Sequence, residues 1–333
     1  MSTRPTLLVA MWRSAWTDIC TPEVAHRLSA LADVDLTLVV EDFGLVPDLA
    51  DVEVLLTGWG CPPVDAAVLD RAPKLRAIIH MAGSVKHHVT PACWERGIVV
   101  SSAVEENALP VAEYTLAAIL FSQKRVLEVS HAYRAIRGQV AWAAAYPSMG
   151  NYRKTVGIIG ASRIGRRVIE LLKPFDIDVL LADPTIDDAT ARTLGVSLVD
   201  LDHLMAAADT VSLHAPSIPQ TAGMIGRRRL GLMRDGAVFI NTARGALVDE
   251  AALTDELVSG RLHAVIDVTE ADVLAPDSPL WDLPNVLLTP HLAGSLGDEL
   301  ARLVDHALDE VERWSAGQDF ASPVDPDQLD SSA

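Results

Sequence analysis

The sequence predicts an α/β fold made of two domains, each with a parallel sheet covered by helices. The chain has 333 residues, which is too long for one ordinary core and suits two domains of typical size. Short runs rich in Val, Ile and Leu alternate with longer segments of helical periodicity, a pattern typical of parallel sheets with helices on both faces. Half of the residues are apolar and 22% are charged, so we expect most of the chain to fold.

Eleven of the apolar runs have the length of buried strands. In the first half of the chain they cover residues 6–11, 35–40, 52–57, 75–80 and 98–101. In the second half they cover residues 155–159, 178–182, 210–213, 237–241, 263–268 and 285–289. The segment from Asn107 to about Arg137 lies between the two sets and predicts one connecting helix, which crosses between domains or also packs in a dimer. The tail from Ser315 is polar, acidic and contains proline, so we expect it to be disordered.

Charge and cysteine content limit the possible partners. The 45 Asp and Glu residues outweigh 27 Lys and Arg, and the net charge of −18 repels phosphate backbones and anionic lipid surfaces. We therefore expect no nucleic-acid or membrane partner, and a small anionic ligand needs a local arginine. The apolar stretch that ends at Trp12 is too short for a signal peptide. Reduced thiols in the cytoplasm are favoured over disulfides or zinc, because C-x-x-C spacing is absent from the three cysteines, Cys20, Cys61 and Cys93.

The turn after strand 155–159 has the composition that a dinucleotide pyrophosphate needs. It reads Gly160-Ala161-Ser162-Arg163-Ile164-Gly165, and glycines let N–H groups at a helix N-terminus approach a phosphate. The next apolar run ends at Asp183, 18 residues after Gly165, where a carboxylate binds the adenosine ribose. No arginine lies in residues 184–188 to receive a 2′-phosphate, so NAD is expected rather than NADP. Ser162 replaces the second glycine, and its hydroxyl is either tolerated or donates to a phosphate oxygen.

The segments that follow several strands of the second half contain polar residues, at the edge where open α/β sheets bind ligands. They are His214, Ala215 and Pro216 after strand 210–213, Thr242, Ala243 and Arg244 after strand 237–241, Asp267, Glu270 and Asp272 within and after strand 263–268, and His291 after strand 285–289. An arginine binds a carboxylate, a histidine moves a proton near neutral pH, and a nearby carboxylate stabilises the imidazolium. These are the groups that hydride transfer between a 2-hydroxy acid and NAD requires.

Four segments of the second half carry a resemblance to a known family: V-G-I-I-G-A-S-R-I-G, A-D-T-V-S-L-H-A-P, I-N-T-A-R-G-A-L-V-D-E and L-L-T-P-H-L-A-G-S. With these segments, residues 54–295 strongly resemble the D-isomer-specific 2-hydroxyacid dehydrogenases, which include phosphoglycerate dehydrogenase and the glyoxylate/hydroxypyruvate reductases. The resemblance implies two Rossmann/flavodoxin-like domains with parallel sheets. The NAD-binding Rossmann domain, residues 105–295, would be inserted into a discontinuous flavodoxin-like substrate domain, residues 1–104 and 296–333.

The resemblance also implies a homodimeric, NAD-dependent enzyme that interconverts a 2-oxo acid and a D-2-hydroxy acid. Arg244 would bind the substrate carboxylate and His291 would be the acid/base. Asp272 stands where the family has the histidine's glutamate partner, and the proline that follows it there is missing; Glu270 is the alternative partner. The implied cofactor-binding residues are Gly160, Ser162, Arg163, Ile164, Gly165, Asp183, His214, Ala215, Pro216, Thr221, Thr242, Ala243, His291 and Asp267, the last at the nicotinamide carboxamide.

A short loop in the first domain, residues 81–85, resembles the family loop whose N–H groups hold the substrate carboxylate. An ordinary strand-to-helix turn is the alternative. Trp59 either lines the substrate pocket or packs in the core. From the resemblance of the loop 81–85, the candidate substrate-binding residues are Ala82, Gly83 and Ser84. No metal site is expected there, because neighbouring side chains point apart and no carboxylate or cysteine completes a ligand set with the nearby histidines, His80, His87 and His88.

Two other functions remain open from the sequence. An NAD-sensing regulatory module of the corepressor kind would suit the altered positions Ser162 and Asp272. The second function is the oxidation of formate or phosphite by a relative of the family. The family's formate dehydrogenases have glutamine beside the histidine, and Asp272 does not match that residue. The presence of both Arg244 and His291 favours the 2-hydroxyacid enzyme. The sequence leaves the side chain of the substrate open.

Overall fold

The computed structural model describes residues 4–331, which form two compact units. Unit 1 comprises the chain up to Ala108 together with Ser295–Asp330, and unit 2 comprises Leu109–Gly294. Each unit contains its own parallel sheet with a hydrophobic core on both faces. The predicted α/β class is therefore confirmed.

The sheet of unit 1 has five strands. They are β1 Thr6–Ala10, β2 Asp33–Val40, β3 Val54–Thr57, β4 Ala77–His80 and β5 Val99–Ser102. All are parallel, in the order β2-β1-β3-β4-β5. The register pairs Ala10 with Thr57, Thr57 with His80 and His80 with Ser102, so the strands end level with one another. The connections reverse direction between β1 and β3, which is the switch point where sheets of this order bind ligands.

Helices cover both faces of this sheet. They are α1 Arg13–Ile19, α2 Pro22–Leu31, α3 Ala66–Arg71, α4 Pro91–Glu95, the first residues of α5 Val104–Gln123, and α13 Leu300–Ser315. In α13 the residues at 303, 304, 307, 308 and 311 are buried, a spacing that gives the helix one apolar face. That face packs with α1 and α2 on one side of the sheet, and α3 and α4 pack on the other.

The sheet of unit 2 has seven parallel strands. They are β6 Lys154–Ile159, β7 Ile177–Ala182, β8 Ser197–Leu198, β9 Thr210–Leu213, β10 Val238–Asn241, β11 His263–Ile266 and β12 Val286–Leu288. Their order is β12-β11-β10-β9-β6-β7-β8. The connections reverse between β6 and β9, so a crevice for a ligand opens beyond the carboxyl ends of these two strands.

Several helices of unit 2 begin at a side-chain N-cap. The helices of this unit are the remainder of α5, then α6 Val126–Ile136, α7 Trp142–Ala145, α8 Arg163–Leu172, α9 Asp188–Leu194, α10 Leu201–Ala207, α11 Arg227–Leu230 and α12 Glu250–Val258. The side chains of Asp187, Asp200 and Asp249 each accept a backbone N–H in the first turn of α9, α10 and α12. An aspartate in this position satisfies an N–H group that has no partner inside the helix.

All eleven predicted strands are present, with every end within two residues of its predicted position. The short strand β8 was not predicted, because two residues are too few for a periodic pattern. The single helix predicted over residues 107–137 is wrong. α5 ends at Gln123, and Arg125, with a φ of +52° in the left-handed region, precedes the start of α6 at Val126.

The prediction of a disordered tail is also wrong for the described residues up to 331. The buried carboxylate of Glu310 accepts hydrogen bonds from the N–H groups of Ala321 and Ser322 at 3.0 and 2.8 Å. Phe320 is buried in the core of unit 1, and Val324 N donates to a carbonyl oxygen of β5 at 2.8 Å. A polar composition concealed these contacts, because the acceptors for the tail lie on α13 and β5 rather than in the tail itself.

Candidate active site

The turn between β6 and α8 is so closely packed that only glycine fits at both of its ends. Gly160 has a φ of +94°, in the left-handed region that favours glycine. A Cβ at Gly160 would lie 2.8 Å from backbone atoms of His214 and Ala215. A Cβ at Gly165 would lie 2.1 Å from the carbonyl oxygen of Gly160. The turn therefore packs directly against the segment that follows β9.

Ser162, which replaces the second glycine of the pattern, is the N-cap of α8. Its Oγ accepts a hydrogen bond from Gly165 N at 3.3 Å, so the side chain helps to start the helix. Arg163 and Ile164 form the first turn. The N–H groups of Ser162 and Ile164 donate to no residue within the described chain. Unpaired N–H groups at a helix N-terminus bind anions, so the turn fits a dinucleotide pyrophosphate.

Asp183 follows β7 and ties that strand to the glycine turn. Its Oδ2 accepts from Ala161 N at 2.7 Å. Its Oδ1 accepts from Thr185 N at 2.8 Å and from Thr185 Oγ1 at 2.7 Å. A carboxylate oxygen accepts about two hydrogen bonds, so Oδ2 retains capacity for a ribose hydroxyl.

The segment after β9 supports the glycine turn from the other side. His214 is buried, and its Nε2 lies 2.9 Å from Ser212 Oγ. Burial lowers the pKa of His214 to about 3, so the ring is neutral at pH 7. Further along, Thr221 Oγ1 donates to Pro216 O at 2.6 Å and accepts from Ile218 N at 3.1 Å, which closes the loop on itself.

The turn after β10 holds the backbone of Arg244. Asn241 at the end of the strand accepts from Ala243 N and donates to Arg244 O, both at 3.0 Å. A Cβ at Gly245 would lie 2.1 Å from the carbonyl group of Thr269, so this turn touches the segment after β11. The sequence therefore brings the Arg244 turn and the residue 269–270 backbone into direct contact.

The Arg244 guanidinium has no carboxylate partner among the described residues. Its Nη1 donates to Ala243 O at 2.6 Å, and the residue is exposed to solvent. Partial desolvation lowers the pKa of Arg244 from its usual value, yet a guanidinium stays protonated in proteins. Beside it, Thr242 Oγ1 lies 3.1 Å from Thr115 Oγ1, in a buried contact with α5. Arg244 is therefore a positive group available to an anionic ligand.

Asp267 is buried at the end of β11 and organises the loop that carries His291. Its Oδ1 accepts from Thr289 Oγ1 at 2.6 Å and from Leu292 N at 2.9 Å, and its Oδ2 accepts from Ala293 N at 3.0 Å. The backbone N–H of His291 donates to Asp267 O at 2.8 Å. His291 has a φ of +52°, an uncommon conformation for a non-glycine residue that these hydrogen bonds hold.

The three residues expected to act together are not hydrogen-bonded to one another. The ring of His291 is exposed and forms no hydrogen bond or ion pair within the described residues. Asp272 and Glu270 are also exposed, and neither carboxylate contacts His291 in the described chain. Only the backbone of Glu270 is held, through its N–H to Glu250 Oε2 at 2.8 Å.

In unit 1 the loop after β4 presents unpaired N–H groups. Ser102 Oγ donates to Ala82 O at 3.0 Å and also contacts Gly83 O, which fixes the loop from the side of β5. The N–H groups of Ala82, Gly83 and Ser84 donate to no residue in the described part of the chain. Successive free N–H groups form a concave site for an anion.

A buried polar cluster beneath this loop was missed by the sequence analysis. Thr57 Oγ1 lies 2.9 Å from His80 Nδ1 and 3.2 Å from His88 Nε2. Burial lowers the pKa of His88 to about 4 and that of His80 well below its usual value, so both rings are neutral. These residues are 23 and 31 positions from Thr57, and only the register of β3 and β4 brings them together.

Three features of residues 4–331 bear on metals, membranes and thiol chemistry. No group of three or more His, Cys, Asp and Glu side chains there is arranged to hold a metal ion. No helix in that range is both long and apolar enough to cross a membrane. The three thiols are free, and burial raises the pKa of Cys61 to about 12, which makes it a poor nucleophile.

Comparison with known proteins identifies the family. A model of the NAD binding domain of D-isomer specific 2-hydroxyacid dehydrogenases matches residues 116–293. The chain is 34% identical to D-3-phosphoglycerate dehydrogenase of Mycobacterium leprae over 265 residues, 79% of this chain and 49% of that protein. It is 32% identical to glyoxylate reductase of Korarchaeum cryptofilum over 261 residues, 77% of this chain and 78% of that protein.

The fold comparison agrees with the sequence comparison. The crystal structure of D-lactate dehydrogenase from Aquifex aeolicus, complexed with NAD and lactic acid, has a TM-score of 0.74 and 26% identity, covering 94% of this chain and 96% of that one. The chain spans about half the length of the phosphoglycerate dehydrogenases that it matches. The chain belongs to the D-isomer-specific 2-hydroxyacid dehydrogenase family, with its NAD-binding domain in residues 116–293.

Proposed function

We propose that this protein is an NAD-dependent dehydrogenase that interconverts a 2-oxo acid and a D-2-hydroxy acid. The observation that carries the proposal is the unpaired guanidinium of Arg244. In a chain with 45 acidic and 27 basic residues, an arginine without an acidic partner in the described structure is well suited to bind an anion from outside. A carboxylate is the natural ligand, since it forms two parallel hydrogen bonds with a guanidinium.

The cofactor would be held by groups of unit 2. The N–H groups of Ser162 and Ile164 would bind the pyrophosphate, and Asp183 the adenosine ribose. The negative charge of Asp183 would repel the 2′-phosphate of NADP, which supports NAD as the cofactor. When bound, the nicotinamide supplies or accepts the hydride. The other proposed cofactor contacts follow β9 and β10 and are His214, Ala215, Pro216, Thr221, Thr242 and Ala243.

His291 would carry the proton. Its exposed ring is free to reach a substrate oxygen, and its backbone is held by Asp267. In the reduction, the imidazolium would donate its proton to the carbonyl oxygen as the hydroxyl forms, and in the oxidation the neutral ring would take that proton back. Asp272 is our proposed partner for the imidazolium, with Glu270 as the alternative, since both carboxylates are unengaged in the described structure.

Unit 1 would contribute to substrate binding through its loop after β4. The N–H groups of Ala82, Gly83 and Ser84 would donate to the substrate carboxylate, supported by their lack of partners in the described chain. The hydrogen bonds from Ser102 Oγ to Ala82 O and Gly83 O hold the backbone of this loop. The loop is thereby preorganised, which lowers the cost of binding.

We further propose a homodimer that forms through α5 and α6. Phe121 on α5 and Leu127, Tyr133 and Ile136 on α6 are 41 to 59% exposed, an unusual concentration of large apolar side chains. A second copy of the chain would bury them. The free cysteines support a reducing compartment, and we propose the cytoplasm. Light scattering that gave a monomer at micromolar concentration would contradict the dimer.

A screen of NADH oxidation tests the proposal. Wild-type protein would be assayed with glyoxylate, hydroxypyruvate, pyruvate and larger 2-oxo acids, each with NADH and with NADPH. Turnover of at least one acid, with tighter binding of NADH than of NADPH, is expected. Arg244→Ala should abolish productive substrate binding but preserve NADH binding. Arg227→Ala is the matched control, because that exposed arginine is already paired with Asp255.

A regulatory NAD-binding module is the second candidate. It is favoured by one observation, the absence of any carboxylate contact to the His291 ring within the described residues. NADH would then bind normally, no 2-oxo acid would be reduced, and Arg244→Ala and His291→Ala would have no effect in any redox assay. An acid/base role instead predicts that His291→Ala lowers turnover by roughly a hundredfold to ten-thousandfold with NADH binding intact.

A further inference from the structure

Two tryptophans follow neighbouring strands of unit 1 at the carboxyl edge of its sheet. Trp12 comes after β1, and Trp59 comes after β3. The backbone N–H of Trp12 donates to Trp59 O at 2.7 Å, which joins the two segments beyond the ends of the strands. They lie at the switch point between β1 and β3, where sheets of this strand order bind ligands.

The indole of Trp12 is held in place by a glycine. A Cβ at Gly60 would lie 2.1 to 2.3 Å from three atoms of the indole, so the ring rests directly on the Gly60 backbone. Gly60 also has a φ of +80°, in the left-handed region that favours glycine. The position therefore requires glycine both for its backbone conformation and for the space that the indole occupies. The Trp12 backbone is fixed as well, because its carbonyl accepts from Trp16 N at 3.0 Å in the first turn of α1.

Trp12 nevertheless stays open to solvent. It is 55% exposed, whereas Trp16, one helical turn later, is 5% exposed and belongs to the core. Trp59 is half-buried and packs against the same core, so the sequence alternative that placed it there is supported. A large aromatic ring that is immobilised but uncovered offers a ready apolar contact to a ligand.

The Trp12 ring and the loop 81–85 both follow strands of the sheet of unit 1, at its carboxyl edge. Gly60 follows β3 and the loop 81–85 follows β4, and these two strands are paired neighbours in the sheet. That loop presents the free N–H groups of Ala82, Gly83 and Ser84. An acid whose carboxylate occupies the loop would present its side chain at this edge of the sheet, where an aromatic or large apolar group would pack on the exposed Trp12 ring. The hydrogen of glyoxylate and the methyl group of pyruvate offer such a ring little apolar surface.

We propose that Trp12 is a specificity-determining residue and that the substrate is a 2-oxo or 2-hydroxy acid with an aromatic or large apolar side chain. The inference rests on the proposed function. The inference deepens that function by naming the class of substrate, which unit 1 would recognise. The ring of Trp12 would cover one face of the substrate side chain, and the Gly60 backbone would support the indole from behind.

The test compares Trp12→Ala and Trp12→Phe with wild type on phenylpyruvate and glyoxylate. For wild type, kcat/KM should be higher with phenylpyruvate. Trp12→Ala should lower the ratio of the two kcat/KM values by about tenfold to a hundredfold, the usual effect of losing one large apolar contact. Trp12→Phe should retain most of the ratio. The matched control is Trp281→Ala, which removes an exposed tryptophan of unit 2 and should leave the ratio unchanged.

A binding measurement separates this inference from the proposed function. 3-Phenylpropionate carries the carboxylate and the ring without a reducible carbonyl, and its dissociation constant should rise at least tenfold in Trp12→Ala. If wild type reduces no 2-oxo acid, the proposed function fails, and this titration alone decides whether Trp12 binds an aromatic acid. If Trp12→Ala lowers the melting temperature but alters neither the ratio nor the binding, Trp12 only covers Gly60 and the inference is wrong.

Discussion

Replacing Asp267 with asparagine tests whether its buried carboxylate positions His291. In the wild type that carboxylate accepts three hydrogen bonds from the loop 289–293, at 2.6, 2.9 and 3.0 Å. The amide that the substitution introduces keeps one acceptor oxygen, so at least one of the three bonds is replaced by an N–H that faces another donor. The remaining bonds lose the charge of the acceptor. Hydrogen bonds to charged groups contribute about 1.5–3 kcal/mol and neutral ones about 0.5–1.5, so we expect the free energy of unfolding to fall by about 3–5 kcal/mol.

The same substitution should impair turnover more than cofactor binding. A displacement of a reacting group by about 1 Å costs roughly a hundredfold in rate, so kcat for 2-oxo acid reduction should fall by about that factor. Urea denaturation, steady-state kinetics and NADH fluorescence titration measure the three quantities. Asp200→Asn is the control, because asparagine caps a helix as well as the aspartate that begins α10. If NADH binding were lost while stability stayed the same, Asp267 would serve the nicotinamide and the positioning role would be wrong.

Other results are expected from single features of the structure. Ser162→Gly should lower stability by only a few tenths of a kcal/mol and leave NADH affinity near wild type, whereas a large loss in the titration would mean that the hydroxyl binds phosphate. Glu310→Ala leaves one hydroxyl and two tail N–H groups without their acceptor, so urea denaturation should show about 3–5 kcal/mol less stability and Glu310→Gln a smaller loss; equal stabilities would contradict this. His88 and His214 have folded pKa values of about 4 and 3, below the usual 6.5, so the unfolded chain takes up their protons first. Stability should therefore fall as pH drops below about 6.5, by about 1.4 kcal/mol per pH unit for each histidine, and an unchanged urea midpoint from pH 6.5 to 5 would refute the burial of these rings.

The strands were predictable because burial on both faces makes a parallel strand a continuous apolar run. That signal needs several residues, which is why the two-residue β8 had no counterpart in the prediction. The break between α5 and α6 was hidden for a different reason. The apolar spacing continues across Arg125, and a single left-handed residue interrupts the helix without changing the composition around it.

The candidate residues of the site could be selected because parallel strands place their next residues at one edge. The hydrogen-bond partners of these residues could not be predicted, because the partners depend on strand register and loop geometry. Asp267 accepts hydrogen bonds from residues 22 to 26 positions away, which the sequence did not indicate, and its expected contact to the nicotinamide carboxamide stays a prediction. The N-cap role of Ser162 was also not predicted, because Ser162 was considered only as a replacement for the second glycine of the pattern. The partner of His291 stays a prediction, since no distance in the described chain favours Asp272 over Glu270.

The two attachments of Asp183 restrict how cofactor preference can change in evolution or in the laboratory. Acceptance of NADP requires removal of the negative charge beside the ribose, yet the same carboxylate accepts from Ala161 N and from both donors of Thr185. Replacing Asp183 by alanine or glycine would relieve the repulsion but would also remove the side-chain acceptor of Ala161 N. Asp183→Ser or Asp183→Asn keeps an oxygen for one of these donors. We expect an NADP-dependent descendant of this chain to pass through such a polar residue, with an arginine gained nearby, rather than through alanine or glycine.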